Sequence, residues 1–254
     1  SGDIRMSQDT FTDLESFIVV VAGNGAIGMA LMQKLLELDN LGQVVMLGRS
    51  AKPLPNDPRV SFLPIDAERP DSVLAAAENV SQSMQRVHLL INTVGFLHTE
   101  HQQPEKNLRA VTAKNLQRAY IVNSTLLPLL AQAFGRLIRH DEPAVLASLS
   151  ARVGSIEDNQ LGGWYSYRAS KAAHNMLLKS ISREWRISHR NVTVAALHPG
   201  TVQSRLSEPF VTERYPNRVL TPDECARSLL DVIYGLRVKD TGCFLDWQGK
   251  PIPW

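Results

Sequence analysis

Phe17–Ala22 is an unbroken apolar run, and Gly23-Asn24-Gly25-Ala26-Ile27-Gly28 follows it at once. Six apolar residues without polar alternation suit a strand buried on both faces. The stretch Ala26–Leu38 then reads as a helix. Strand, G-x-G-x-x-G and helix in that order predict a tight turn whose glycines let backbone approach a pyrophosphate. The helix N-terminus supplies free N–H groups and a favourable dipole there. Gly23, Asn24, Gly25, Ile27 and Gly28 are therefore candidate dinucleotide-binding residues. A flexible turn in an α/β domain that binds nothing shares the pattern, and placement after the first strand favours binding.

The same alternation continues along the chain. Further strands are predicted at Gln43–Leu47, Val60–Ile65, Val87–Asn92, Ala144–Leu149, Val192–Leu197 and Cys243–Asp246. Helices are predicted at Asp71–Met84, behind the start signal Pro70, at Pro104–Ile138 as one long or two joined segments, at Ser166–Ser188 and at Pro222–Leu236. Strand–helix alternation implies right-handed βαβ crossovers and a doubly wound parallel sheet. Ligands of such sheets sit beyond the carboxyl ends of the strands, so the informative residues are those just after strands.

Composition excludes little that the pattern leaves open. Of the 254 residues 44% are hydrophobic, enough to cover both faces of a sheet, and a net charge of +2 calls for neither a nucleic-acid nor a membrane partner. No uninterrupted apolar run approaches the roughly 18–20 residues of a membrane span. The two cysteines, Cys225 and Cys243, lack metal-ligand spacing and read as small hydrophobes in a reducing compartment. A single domain over 1–254 is expected, with residues 1–15 a polar extension, Met6 a candidate natural start, and the cytoplasm as location.

The second strand ends in Gly48-Arg49-Ser50. A site for NAD usually has Asp or Glu about there, to hold the ribose 2′-hydroxyl. This chain has Arg49, whose guanidinium suits a 2′-phosphate, so NADP is expected over NAD, with Arg49 and Ser50 at the adenosine end. Asp66 and Ala67 close the third strand. Asp66 is placed either to accept a hydrogen bond from an adenine amino group or to start the helix behind Pro70, and both readings stand.

Tyr167 and Lys171 are four apart and share a helix face. A phenol with its ordinary pKa near 10 is a poor proton donor or acceptor at neutral pH. A neighbouring ammonium stabilises the phenolate and is expected to lower that pKa towards working pH. An isolated pair of this kind would more often be a surface lysine lying over a helix tyrosine.

The pair is not isolated. Asn92-Thr93-Val94-Gly95 follows the fourth strand, Asn123 lies in the long helix, Ser150 follows the fifth strand and His198-Pro199-Gly200 the sixth. In order and spacing, over nearly the whole chain, these resemble the short-chain dehydrogenase/reductase family. Gly154-Ser155-Ile156, Gly162-Gly163, Tyr165 to Lys171 and the ending Phe244-Leu245-Asp246, Gly249-Lys250, Pro253-Trp254 resemble its C-factor and sniffer carbonyl-reductase branch. The resemblance implies a Rossmann-type, seven-stranded, mostly parallel sheet of order 3-2-1-4-5-6-7 with helices on both faces. It implies an NADP(H)-dependent oxidoreductase acting on a small-molecule carbonyl or alcohol, and a homodimer or homotetramer. Tyr167 would be the general acid, Lys171 would tune it and hold the nicotinamide ribose, and Asn123 would anchor a water in a proton relay. Asn92, Val94 and Gly95 would line the adenosine side, and Pro199, Gly200, Val202 and Ser204 would hold the nicotinamide.

Three departures from the family pattern matter. Val21, Ala22 and Ala26 stand where the family's glycine turn has other residues, with Gly23 and Gly25 shifted, so altered turn geometry is expected. Thr93-Val94 stands where the family has Asn-Ala, which is expected to affect packing beside the cofactor. Ala151 stands where the family has its catalytic serine: either a local bulge brings Ser150 into place to supply the missing hydroxyl, which is the favoured expectation, or the enzyme works without that donor, or the chain is no competent reductase. His174, His98, His101 and Trp164 read as packing, loop or pocket-wall residues, and 203–218, with Phe210 and Tyr215, as a lid-like loop. An alternative function stays open: a dinucleotide-binding sensor of the same fold with weak or no catalysis.

Overall fold

The computed structural model describes residues 9–95, 103–202 and 218–254. Ser204, His98, His101, Phe210 and Tyr215 lie outside the described residues. The strands are β1 (Phe17–Ala22), β2 (Leu41–Gly48), β3 (Val60–Pro64), β4 (Leu89–Asn92), β5 (Ala144–Leu149), β6 (Val192–His198), β7 (Thr201–Val202), β8 (Val219–Leu220) and β9 (Cys243–Asp246). The α-helices are α1 (Ala26–Leu36), α2 (Pro70–Ser83), α3 (Ala113–Tyr120), α4 (Leu126–Ile138), α5 (Tyr165–Ser188) and α6 (Pro222–Gly235).

Seven strands form one sheet of order β3-β2-β1-β4-β5-β6-β9, and each of its pairings is parallel. The order is the expected one. The last strand is ninth rather than seventh along the chain because β7 and β8, two residues each, pair in a small sheet of their own. Successive residues of β1 serve opposite cores. Val20 and Ala22 pack with Leu127, Phe134 and Leu178 of α4 and α5, and Val19 and Val21 with Leu31, Leu35 and Leu229 of α1 and α6. Both faces are dry, so a period of two leaves no polar position. The chain winds outward from β1 in both directions, which opens a crevice beyond Ala22 of β1 and Asn92 of β4.

The helices start where local chemistry dictates. Thr221 and Glu224 bond reciprocally across the first turn of α6, with Pro222 at its first position. The predicted segment from Pro104 to Ile138 is corrected. It enters through a 3-10 turn at Leu108–Ala110, and α3 and α4 are joined by a π turn at Ile121–Thr125. Pro128, in the first turn of α4, has no N–H to give the carbonyl of Ser124, and Thr125 Oγ1 donates back to the Ile121 carbonyl at 2.5 Å. Both loosen the regular ladder where the π turn sits. Ala113–Ile138, at 26 residues, is long and apolar enough to cross a membrane by length and composition alone, although polar residues interrupt its apolar runs. Its Leu127, Leu130, Phe134 and Ile138 are buried in the core.

Candidate active site

The glycines after β1 differ in what they must do. Gly23 has φ +106°, and a Cβ there would lie 2.3 Å from Thr93 Oγ1. A Cβ on Gly28 would lie 1.8 Å from the Gly23 carbonyl oxygen. Neither position admits a side chain. Gly25 has open space within 4 Å and caps α1 without any side-chain hydrogen bond. Gly25 stands at the N-terminus of α1, whose first N–H groups have no partner within the helix and suit an anion. Thr93 Oγ1 donates to the Ala22 carbonyl at 2.9 Å, so the departure Thr93 holds the shifted glycine turn in place. Val94 N–H donates to Asn92 Oδ1 at 3.1 Å, and Asn92 Nδ2 to Ser148 Oγ at 3.1 Å, tying β4 to β5.

Asn24 joins this turn to the end of β2. Its Nδ2 donates to the Ser50 carbonyl at 2.8 Å, and Lys52 Nζ donates to its backbone carbonyl at 2.6 Å. Its side chain fills the space over Gly48, where a Cβ would sit 2.2 Å from Oδ1. Arg49, Ser50 and Lys52 are all exposed around this junction. Lys52 escaped the sequence reading, although a second cation three residues past Arg49 was a visible signal. Asp66 Oδ1 accepts from Glu68 N–H at 2.9 Å and its N–H donates to Ser72 Oγ at 2.8 Å, so Asp66, with Ala67, shapes the turn into α2. Gly200 has φ +76°, and a Cβ on it would meet the Trp247 ring at 2.9 Å. The Pro199 carbonyl accepts from Cys225 Sγ at 3.6 Å, and Val202 is buried in β7.

Tyr167 and Lys171 lie on α5. Lys171 is 3% exposed, its Nζ donates to the Leu149 carbonyl at 3.2 Å, and it stands 6.0 Å from the Tyr167 ring centroid. A Cβ on Gly95 would meet Lys171 Nζ at 3.2 Å and Asn123 Oδ1 at 3.5 Å, so the lysine, the π turn and the end of the β4 loop converge. Asn123 Nδ2 donates to Ser170 Oγ at 3.1 Å, and Ser170 Oγ donates to the Tyr167 carbonyl at 2.8 Å. Gly154 brings its loop against α5, where a Cβ would be 2.7 Å from Lys171 Cβ.

The expected lowering of the phenol pKa is corrected. Burial pushes Tyr167 up to about 12 and Lys171 down to about 8. Removing a group from water disfavours its charged form, which raises the phenol and lowers the ammonium.

Ser150 is also placed otherwise than expected. It is 3% exposed, and its hydroxyl donates to Asn175 Oδ1 at 2.6 Å. The hydroxyl meant to replace the one missing at Ala151 is therefore engaged inward, against α5. Ser155 donates to the Trp254 carbonyl at 3.2 Å. His174, fully buried, has Nε2 2.6 Å from Ser148 Oγ and Nδ1 3.2 Å from Asn175 Oδ1. An amide oxygen only accepts, so Nδ1 carries the hydrogen and Nε2 accepts from Ser148. Burial, and then the charge of Lys171, hold His174 down to about 3. Asn175 Nδ2 is the one buried side-chain polar atom without a partner among the described residues.

A second histidine group, His88 with His140 and Glu142, has metal-like proximity. Its ring nitrogens are already engaged. His88 Nδ1 accepts from Ile18 N–H and Nε2 faces Glu142, while His140 bonds the Val87 carbonyl and Glu142 N–H.

The family model described as short chain dehydrogenase matches residues 16–214. The C-signal protein of Myxococcus xanthus is 37% identical over 133 residues, covering 52% of this chain and 70% of that protein. Among solved structures, the NADPH-bound carbonyl reductase from chicken fatty liver superposes with a TM-score of 0.83 at 29% identity, covering 95% of each chain. Carbonyl reductase Sniffer of Drosophila melanogaster gives a TM-score of 0.81 at 22% identity, covering 95% of this chain and 100% of that one, a likeness of fold.

Proposed function

Because the chain belongs to the short-chain dehydrogenase family, we propose that it is an NADP(H)-dependent reductase of small carbonyl compounds. The observation that carries this reading is the approach of Lys171 Nζ and Asn123 Oδ1 to Gly95, with the Tyr167 ring centroid 6.0 Å from that ammonium. The residues present fit a dinucleotide. Gly25 leaves room for a pyrophosphate at the N–H groups of α1, and Arg49 and Lys52 supply two cations for a 2′-phosphate. The bound nicotinamide supplies the hydride.

Tyr167, half-buried and with its pKa raised by desolvation, would give its proton to the carbonyl oxygen as charge develops there. Lys171 lies close enough to stabilise the phenolate that remains. Asn123, held at the π turn by Ser170, fixes its amide oxygen near the end of the lysine, where a water could bridge the two. On this reading the Ser150 hydroxyl, donating to Asn175, does not serve the developing oxyanion, and the rate is expected to be low for such a site.

That deficit favours one second reading, a dinucleotide-binding sensor with residual turnover. Oxidation of NADPH against a panel of aldehydes, diketones and quinones, with Tyr167→Phe as control, separates the two. The reductase reading requires turnover that the phenylalanine variant loses at least about a hundredfold, the scale of general acid catalysis. Tight NADPH binding with no turnover on any carbonyl assigns the chain to the sensor.

A further inference from the structure

Among the described residues, one non-glycine residue has a positive φ, and it lies three positions before Tyr167. Trp164 sits at φ 49°, ψ 44°, directly after Gly162 at φ +65° and Gly163 at φ +67°. Three successive left-handed residues are rare, and a bulky aromatic third member is strained. The strain is held by surrounding bonds. Trp164 N–H donates to the Glu105 carbonyl at 2.6 Å, and Arg168 Nε donates to the Gly163 carbonyl at 3.1 Å while its Nη1 donates to that of Val153 at 3.2 Å. The Glu105 carboxylate, 3% exposed, accepts from the Ser166 hydroxyl and N–H and so caps α5 just behind. Glycine at 164 would relieve the strain. The indole that the chain carries there instead is half-buried, edge-on to the Tyr167 ring with centroids 6.4 Å apart.

Backbone strain kept beside a reacting group points to a side chain needed where it stands. We propose that Trp164 is a specificity-determining residue: its indole walls the substrate position beside the Tyr167 phenol and selects planar, conjugated carbonyl compounds over compact aliphatic ones. A flat aromatic wall gains stacking area from a planar substrate and little from an aliphatic one. The proposal rests on the reductase reading for turnover, and its physical content, a stacking wall, is also readable by binding alone.

The test uses the NADPH-bound protein and the variants Trp164→Phe, Trp164→Ala and Trp164→Gly. Turnover is compared for 2-naphthaldehyde and butanal, and binding of the unreactive 2-naphthamide is measured by calorimetry. The ratio of kcat/KM for naphthaldehyde over butanal is expected to fall at least tenfold in Trp164→Ala and Trp164→Gly and to be largely kept in Trp164→Phe. Naphthamide affinity should fall in parallel. Trp164→Gly should melt above Trp164→Ala, because only glycine takes the left-handed backbone without strain. Unchanged selectivity together with unchanged naphthamide binding, or no naphthamide binding by the parent protein, overturns the wall. Naphthamide binding that depends on Trp164 in a protein that reduces neither aldehyde upholds the wall and counts against the reductase reading instead.

Discussion

The Ser150 hydroxyl donates to Asn175 Oδ1 at 2.6 Å, which turns it away from the role that the neighbouring Ala151 leaves vacant. With His174 bonding the same oxygen, it completes a buried chain from Asn92 through Ser148 to α5. Restoring a hydroxyl should therefore be additive to what the site already has. Ala151→Ser is expected to raise kcat about tenfold to a hundredfold with little change in KM, since one oxyanion donor is worth about 10²–10³ in rate when well placed. Ser150→Ala should instead cost roughly 1–2 kcal/mol of stability, the scale of a lost buried hydrogen bond. If Ser150→Ala abolished turnover without lowering the melting temperature, Ser150 would be the oxyanion donor after all.

The glycines of the turn should separate folding from binding. Gly23→Ala places a Cβ 2.3 Å from Thr93 Oγ1 at a φ of +106°, and a loss on the order of 2–4 kcal/mol is expected from strain and overpacking. Gly25→Ala meets nothing within 4 Å, so the fold should survive. The added methyl would stand where a pyrophosphate approaches, and NADPH affinity should fall about tenfold or more, a steric loss of over 1.4 kcal/mol. Urea unfolding beside fluorescence titration reads both quantities. Equal dinucleotide affinity in Gly25→Ala and the parent would remove the α1 end from the binding site.

Much of this architecture was legible because parallel strands buried on both faces leave an unmistakable apolar signature. β1, β5 and β9 match their expected bounds, and the other sheet strands do so within two residues. What escaped notice depends on contacts between distant segments. The π turn had a local clue in Pro128, but its consequence, Asn123 and Lys171 both near Gly95, arises only when that turn packs on α5 beside the loop after β4. His174 read as a packing residue, which its full burial fits, yet its bonds to Ser148 and Asn175 were invisible because neither spacing nor residue type announces them. The phenol pKa is hidden from the sequence for a related reason. Helical spacing shows that Lys171 is near Tyr167, but not that burial outweighs its charge.

Cofactor choice should follow from the loop after β2. Arg49 and Lys52 are exposed beside Asn24, with no carboxylate in the Gly48-Arg49-Ser50 window. Charge-assisted hydrogen bonds contribute about 1.5–3 kcal/mol each. Arg49→Asp is therefore expected to shift the NADP-over-NAD ratio of kcat/KM by about tenfold to a hundredfold towards NAD. Lys52→Ala should raise KM for NADPH more than for NADH, and part of that effect would come from releasing the Asn24 carbonyl. A ratio insensitive to both substitutions places the 2′-phosphate elsewhere.

Acid should weaken the fold well before its carboxylates titrate. Burial holds His174 down to about 3, and burial with the nearby Arg152 charge holds His198 down to about 4. Geometry agrees, because His198 Nδ1 accepts from Arg152 N–H at 3.3 Å and His174 Nε2 accepts from Ser148. In the unfolded chain both return to about 6.5. Above that pH neither state carries the proton, and the stability is fully present. Below it the unfolded state binds protons that the folded state refuses, so stability falls until the folded groups titrate near 3 and 4. Each histidine contributes a slope of up to about 1.4 kcal/mol per pH unit in that window. His88 and His189, also lowered chiefly by burial, add to the same slope. Urea midpoints between about pH 7.5 and pH 5 should therefore drop steadily below about 6.5. His174→Gln, whose amide oxygen can still accept from Ser148, should flatten the slope by the share of one histidine. A slope identical in parent and variant would mean that His174 takes up its proton without unfolding, and that its buried bonds to Ser148 and Asn175 are not what keeps it neutral.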